Sequence, residues 1–155
     1  METLATLTAR HAQTGRLDWI GLRPKRLAGL QPVPEASLQA DGLQGDHARP
    51  GKRALTLIQA EHLPVIAALA GLPDLAPEVL RRNLVISRLN LQALRGKQIR
   101  IGEALIEITI PCAPCSRMEA ALGPGGYTAM RGHGGWCAQV LEPGQLSIGC
   151  PVTPA

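Results

Sequence analysis

Apolar residues fall in short runs broken by glycine, proline and aspartate, the rhythm of many brief strands rather than of long helices. The first run, Leu17-Asp18-Trp19-Ile20-Gly21-Leu22, partly alternates and is closed by Pro24. Pro32 and Pro34 make the next stretch irregular or an edge, and a second short strand is predicted over Ser37 to Ala40, before turns at Asp41-Gly42 and Gly45-Asp46. Arg53 to Ile58 reads as a compact strand leading into a helix. From Gln59 to Ala70, Leu63, Ile66 and Leu69 recur every third position, so one helix is predicted there, regular from Pro64 and ended by Gly71 and Pro73. Pro77-Glu78 can open a second, brief helix running into Arg81-Arg82. Leu84-Val85-Ile86 is a buried strand, and Gln98 to Ile101 with Ala104 to Ile110 form a hairpin across Gly102-Glu103, a pair suited to a type II′ turn. In its second arm Ile106, Ile108 and Ile110 share one face, and Pro111 ends it. Six glycines between Gly123 and Gly135 predict a loop, and Trp136 to Leu141 with Gln145 to Ile148 supply a last strand pair. Short strands with one or two short helices predict a mainly β fold, a closed or strongly curved barrel.

The chain has the length of one domain, residues 1 to 155, and no internal repeat divides it. With 45% hydrophobic residues, 2% aromatic and no phenylalanine, its core is aliphatic. A net charge of +4 favours an anionic ligand. No run of Lys and Arg exceeds two residues and one tyrosine is present for base stacking, so nucleic acid is not the expected partner. The first sixteen residues lack the basic-then-apolar pattern of an export signal, and no apolar stretch reaches spanning length. A cytoplasmic location without membrane attachment is expected, and in that reducing setting the four cysteines are expected as thiols.

The chemistry centres on Cys112-Ala113-Pro114-Cys115, directly after a strand. Both thiols could be small buried residues. A zinc site would need two more suitably spaced ligands, and Cys137 and Cys150 stand singly. A thioredoxin-like pair should open a helix, whereas Ser116-Arg117-Met118 is expected to lead into the glycine-rich loop. A thiolate nucleophile or a metal thiolate ligand remains, and Cys115 is the preferred residue. Cys112 follows Pro111 so closely that it belongs to the strand's packing, while Arg117 lies beside Cys115. Cations favour a thiolate. Lys52-Arg53 and Arg81-Arg82-Asn83 each precede a short strand, and strand ends on one rim converge on one cavity, so Arg81 and Asn83 are expected beside Cys115. Asp46 could orient His47 as acid, base or ligand, or the pair could form an ordinary polar turn. His133 could belong to a substrate lid; Cys137 reads as core and Cys150 carries no signal.

In order, Gly42 to His47, Arg53 to Ile58, Arg81 to Ile86, Leu89-Asn90-Leu91, Ile101 to Cys115 and Val140 to Gly149 resemble the MOSC family, named for the C-terminus of molybdenum cofactor sulfurase. The resemblance implies a β-barrel and a key cysteine at Cys115 that ligates molybdenum or carries sulfur as a persulfide. Arg81 and Asn83 match the family's Arg-x-Asn element, and Lys52, Arg53, Arg81 and Arg82 would hold the phosphate of a molybdenum cofactor. As an enzyme the chain would reduce N-hydroxylated compounds with an electron-donor protein. As a carrier it would take sulfur from a donor and pass it to a metal cluster or cofactor. A non-catalytic anion-binding barrel is the third reading. No pyridoxal phosphate is expected on this chain, which has no desulfurase segment, and Gly149-Cys150 departs from the family's Gly-Asp.

Overall fold

The computed structural model describes all 155 residues. Seven strands close a barrel: β1 (Gly15–Leu22), β5 (Leu55–Gln59), β6 (Leu84–Ser87), β7 (Gln98–Ile101), β8 (Ala104–Pro111), β9 (Trp136–Glu142) and β11 (Pro151–Pro154), in the order β1-β6-β5-β9-β8-β7-β11 and back to β1. β2 (Gln31–Pro32) extends the end of β1, and β3 (Glu35–Gln39) pairs with β4 (Gly42–Leu43) and β10 (Gly144–Ser147) in a smaller sheet. Every pairing is antiparallel except β5 with β6. A parallel pair needs a crossover. Here it carries the helix α2 (His62–Ala70) and a 3₁₀ turn at Pro77–Leu80.

That crossover explains the unbroken apolar runs of β5 and β6. Leu55, Leu57, Leu84 and Ile86 point into the barrel, where 22 buried residues form the main core. Ile58 and Val85 point outward and pack with Ile66 and Leu80 of the crossover and with Met118, Leu122 and Met130 in a second cluster. Strands covered on both faces cannot alternate with polar residues. Burying each large aliphatic side chain contributes about 1.5–3 kcal/mol, so both clusters fix where the strand ends sit.

The hairpin forms as expected, with Ile101 opposite Ala104. Gly102 takes a φ of 54°, and a Cβ there would meet the Gln145 carbonyl at 2.9 Å. Ile106 and Ile108 enter the core, while Ile110 is half-buried, because the β8–β9 register shifts between Ile108 and Pro111. The helix expected from Gln59 begins instead at His62, because Gln59 completes β5, and Pro64 falls in its first turn.

Four elements differ from the sequence expectation. Ser116–Leu122 forms a helix, α3, immediately after Cys115, and the glycine-rich segment contains another, α4 (Gly126–Met130). The Glu119 carboxylate joins them by accepting from the backbone N–H groups of Gly125 and Tyr127, at 3.1 and 3.0 Å. Glycine count hides such a helix, because the signal lies in a side chain on the preceding element and in the burial of Met130. At the N-terminus, Leu4–Thr8 forms the exposed helix α1, capped by the Thr3 hydroxyl. The barrel is closed by β11, whose two prolines argue against a strand, yet Val152 is fully buried between β1 and β7.

Candidate functional site

β8 delivers the Cys112–Cys115 segment to one rim of the barrel, and its two ends are held differently. Cys112 is half-buried: its N–H donates to the Gly135 carbonyl at 2.9 Å, and its carbonyl accepts from Arg82 Nη2 at 3.2 Å. Arg82 is buried, and its Nε and Nη1 donate to the carbonyls of Gly134 and Leu80 at 2.7 and 3.0 Å. One guanidinium thus joins the cysteine segment, the glycine-rich segment and the 3₁₀ turn before β6. Gly135 permits the close crossing, since with φ at 91° a Cβ would stand 2.0 Å from the Leu57 carbonyl. Cys115 is exposed, and its carbonyl accepts from Met118 N–H as α3 begins.

Asn83 is also spent internally. Its Oδ1 accepts from the Thr56 N–H and hydroxyl at 3.1 and 3.0 Å, and its Nδ2 donates to the Gly21 carbonyl at 3.1 Å. This buried amide locks β1, β5 and β6 together. Of the Arg81-Arg82-Asn83 triplet, the two later side chains build the rim, and Arg81 stands free of that framework. Arg81 takes a φ of 62°, a left-handed conformation uncommon for a residue with a side chain. Its Nη2 donates to the Arg26 carbonyl at 3.3 Å.

Charge gathers around Arg81. Burial, and then the like charges of Arg23 and Arg117, pull its guanidinium below the usual range, opposed by Cys115 and Asp46. Asp46 does not orient His47. Its Oδ1 accepts from the Arg23 N–H at 2.7 Å and lies 3.7 Å from Arg23 Nε, while His47 is exposed and donates its own N–H to the Arg23 carbonyl. The reason is the chain path: the Gly45 turn lays Asp46 against the end of β1. Arg23 Nε and Asp46 Oδ2 are buried with no hydrogen-bond partner. Lys52 and Arg53 are both exposed before β5.

Cys112 has a different electrostatic setting. Hydrogen bonding from the Cys137 thiol, helped by the charges of Arg82, Arg23 and Arg53, outweighs burial and pulls its pKa down to about 6. Cys137 is correspondingly pushed up, because its proton serves that bond and its site is buried. Cys137 is core, as expected, yet it also tunes its neighbour. Beside Cys112 opens a cavity of about 370 Å³, reached between Pro114, α4 and the start of α2.

Residues 40 to 153 match the MOSC domain. The chain belongs to the MOSC domain family. This MOSC barrel superposes on the YUAD protein of Bacillus subtilis with a TM-score of 0.79 at 17% identity, covering 90% of this chain and 94% of that one. It matches YiiM from Escherichia coli with a TM-score of 0.71 at 27% identity, over 90% of this chain and 69% of the other. For YiiM from Geobacillus stearothermophilus the TM-score is 0.75 at 19% identity, with coverages of 91% and 75%. No curated protein matches the chain in sequence. MOSC domains are in general associated with binding molybdenum cofactor.

The MOSC rim has a donor set suited to such a group. A soft sulfur is available at Cys115, arginines suited to a phosphate lie at Arg81, Arg23 and Arg117, and the orphaned Arg23 Nε lies within the same cluster. Arg23 heads the cationic stretch Arg23-Pro24-Lys25-Arg26, the one sequence signal for its place in the cluster. His62 and Trp136, which line the cavity, stand at a helix start and a strand start and carry no motif. No helix is long and apolar enough to cross a membrane.

Proposed function

We propose that this MOSC domain binds a molybdenum cofactor, with Cys115 as the metal's thiolate ligand and Arg81, Arg23 and Arg117 facing the cofactor's phosphate. The observation that carries this reading is the crowding of three guanidiniums within electrostatic reach of an exposed cysteine. Like charges held together repel, and an anion seated among them relieves that repulsion. The left-handed backbone at Arg81 adds support, since such positions persist where a particular side chain is needed. Lys52 and Arg53, before β5, extend the positive rim. Arg82 and Asn83 serve by fixing the positions of Cys112 and Arg81 rather than by reaching a ligand, as their donors are occupied. His47 and Asp46 contribute through the placement of Arg23.

When bound, the cofactor would supply redox chemistry at the metal, and reduction of N-hydroxylated compounds with an electron-donor protein is the reaction this reading favours. The chain's own residues present the sulfur, neutralise the phosphate and hold the rim rigid. A location in the cytoplasm fits this role.

Metal analysis tests the proposal on protein purified from cells that make the cofactor. Molybdenum near one per chain, lost in Cys115→Ser and reduced in Arg81→Ala, is the expected result. A metal-free protein carrying one extra sulfur atom on Cys115 would overturn it in favour of the persulfide carrier, which the exposure of Cys115 to a donor protein also suits.

A further inference from the structure

The cavity of about 370 Å³ lies beside Cys112, and neither Cys115 nor Arg81 lines it. Its walls are unlike the arginine-rich rim. Trp136, Tyr127, Met130 and two prolines, Pro111 and Pro114, give it apolar faces, and Gly132 and Gly134 add bare backbone against which a flat molecule can lie closely. The polar groups are few: His62, Gln92, Arg131 and Cys112 among them. No aspartate or glutamate lines it.

Each feature limits the occupant. The volume falls within the range of small-molecule sites and suits one or two fused rings. Trp136 lies under the Arg95 guanidinium, 5.8 Å from the ring centroid, so its indole is held in place as it borders the cavity. A fixed aromatic ring selects planar partners by stacking or edge contact. His62 stands edge-on to His133, with centroids 5.2 Å apart and planes at 84°. Burial and the neighbouring His133 lower the pKa of His62, so at neutral pH it offers an uncharged imidazole. His133 Nδ1 is buried without a partner behind it. No carboxylate lines the cavity, Arg131 stands at its mouth, and the charge on Cys112 at neutral pH is already met by the Cys137 thiol and the Arg82 guanidinium, so a cation finds no free counter-charge.

We infer that this cavity binds a planar aromatic or heteroaromatic molecule, neutral or anionic, laid against Trp136 with its polar substituent toward His62 and Gln92. As the seat of the organic substrate this rests on the cofactor reading above; as a binding site it does not, and it can be read without metal.

The test uses benzamide, benzoate, benzylammonium and cyclohexanecarboxamide with the metal-free chain, followed by ligand-observed magnetic resonance and calorimetry. Benzamide and benzoate should bind, benzylammonium and the non-planar amide at least about tenfold more weakly, a preference of the size that single well-placed contacts supply. Ala113→Phe, an exposed substitution at the cavity's edge, should abolish benzamide binding with an unchanged melting curve. Gln92→Glu, also exposed, should weaken benzoate more than benzamide. Equal binding of cyclohexanecarboxamide, preference for benzylammonium, or benzamide binding that survives Ala113→Phe would overturn the inference. A chain that acquires no molybdenum in the cell yet binds benzamide as described defeats only the cofactor reading, and a molybdenum-loaded chain with no benzamide binding defeats only this one.

Discussion

Cys112 and Cys115 are separated by two residues and occupy opposite kinds of site. Cys112 is held by backbone hydrogen bonds at both its N–H and its carbonyl, its thiol is acidified through Cys137, and it faces an apolar cavity. Cys115 is open to solvent at the start of α3, among guanidiniums that have few partners of their own. The acidity of a thiol and its availability are thus set separately. A hydrogen-bond donor and burial govern the first thiol; position on the rim governs the second.

The largest effect should come from removing the support under the inner thiol. Arg82→Met leaves the carbonyls of Gly134, Leu80 and Cys112 without their donor. Stranded buried groups cost about 1–3 kcal/mol each, so urea unfolding should show a loss of about 3 kcal/mol or more. Cys115→Ser, at an exposed position, should change stability by less than about 0.5 kcal/mol. Equal losses in the two variants would erase the contrast.

Next in size is the tuning of Cys112. In Cys137→Ala the hydrogen bond is lost, and the midpoint of Cys112 alkylation by a small reagent should move up from about 6 toward the ordinary thiol value of 9.0. A bulky maleimide should still label Cys115 first in both proteins, because Cys112 is shielded. A midpoint that stays near 6 in the variant would show that the arginines alone acidify Cys112.

The same thiol gives stability a pH dependence. Its folded pKa lies below the unfolded one, so ionisation favours the native state. That contribution is fully present above about 9, declines as the pH falls, and is gone below about 6. Melting temperature should therefore rise across this window, and Cys112→Ala should flatten the rise.

The smallest effect concerns the outer rim. Arg81→Gly relieves a left-handed backbone and should stabilise the fold by up to about 1 kcal/mol, while weakening pyrophosphate binding about tenfold by calorimetry. A destabilised variant would mean that the Arg26 carbonyl contact outweighs the backbone strain.

The barrel was legible because its core strands obey simple periodicities: Ile106 and Ile108 alternate, and Leu84-Val85-Ile86 is apolar throughout, as a strand covered on both faces must be. The glycine-rich segment was not legible as a helix, since α4 depends on the carboxylate of Glu119, which reaches from the preceding helix to N–H groups six and eight positions on, a side-chain contact between elements that periodicity does not report. For the same reason Asp46 was paired with its chain neighbour His47, whereas folding brings it to Arg23, 23 positions away. Cys112 looked like packing because it follows Pro111; its acidity depends on Cys137, a contact made only across the β8–β9 pair. The positive rim was legible as composition, but its membership was not: Arg82, adjacent to Arg81, turns inward to three carbonyls.

The barrel's seam joins distant parts of the chain. β11 lies between β1 and β7, with Val152 opposite both Gly15 and Ile101. Closure thus waits on a contact between the two ends of the domain, the kind of long-range pairing that slows folding because loop entropy must be lost before the contact is made. Until β11 docks, β1 and β7 each present an unpaired edge, a template for another chain. During synthesis that exposure lasts until β11 leaves the ribosome. Pro151 and Pro154, which obscure β11 in the sequence, also make that strand a poor template for prolonged pairing with a neighbouring molecule.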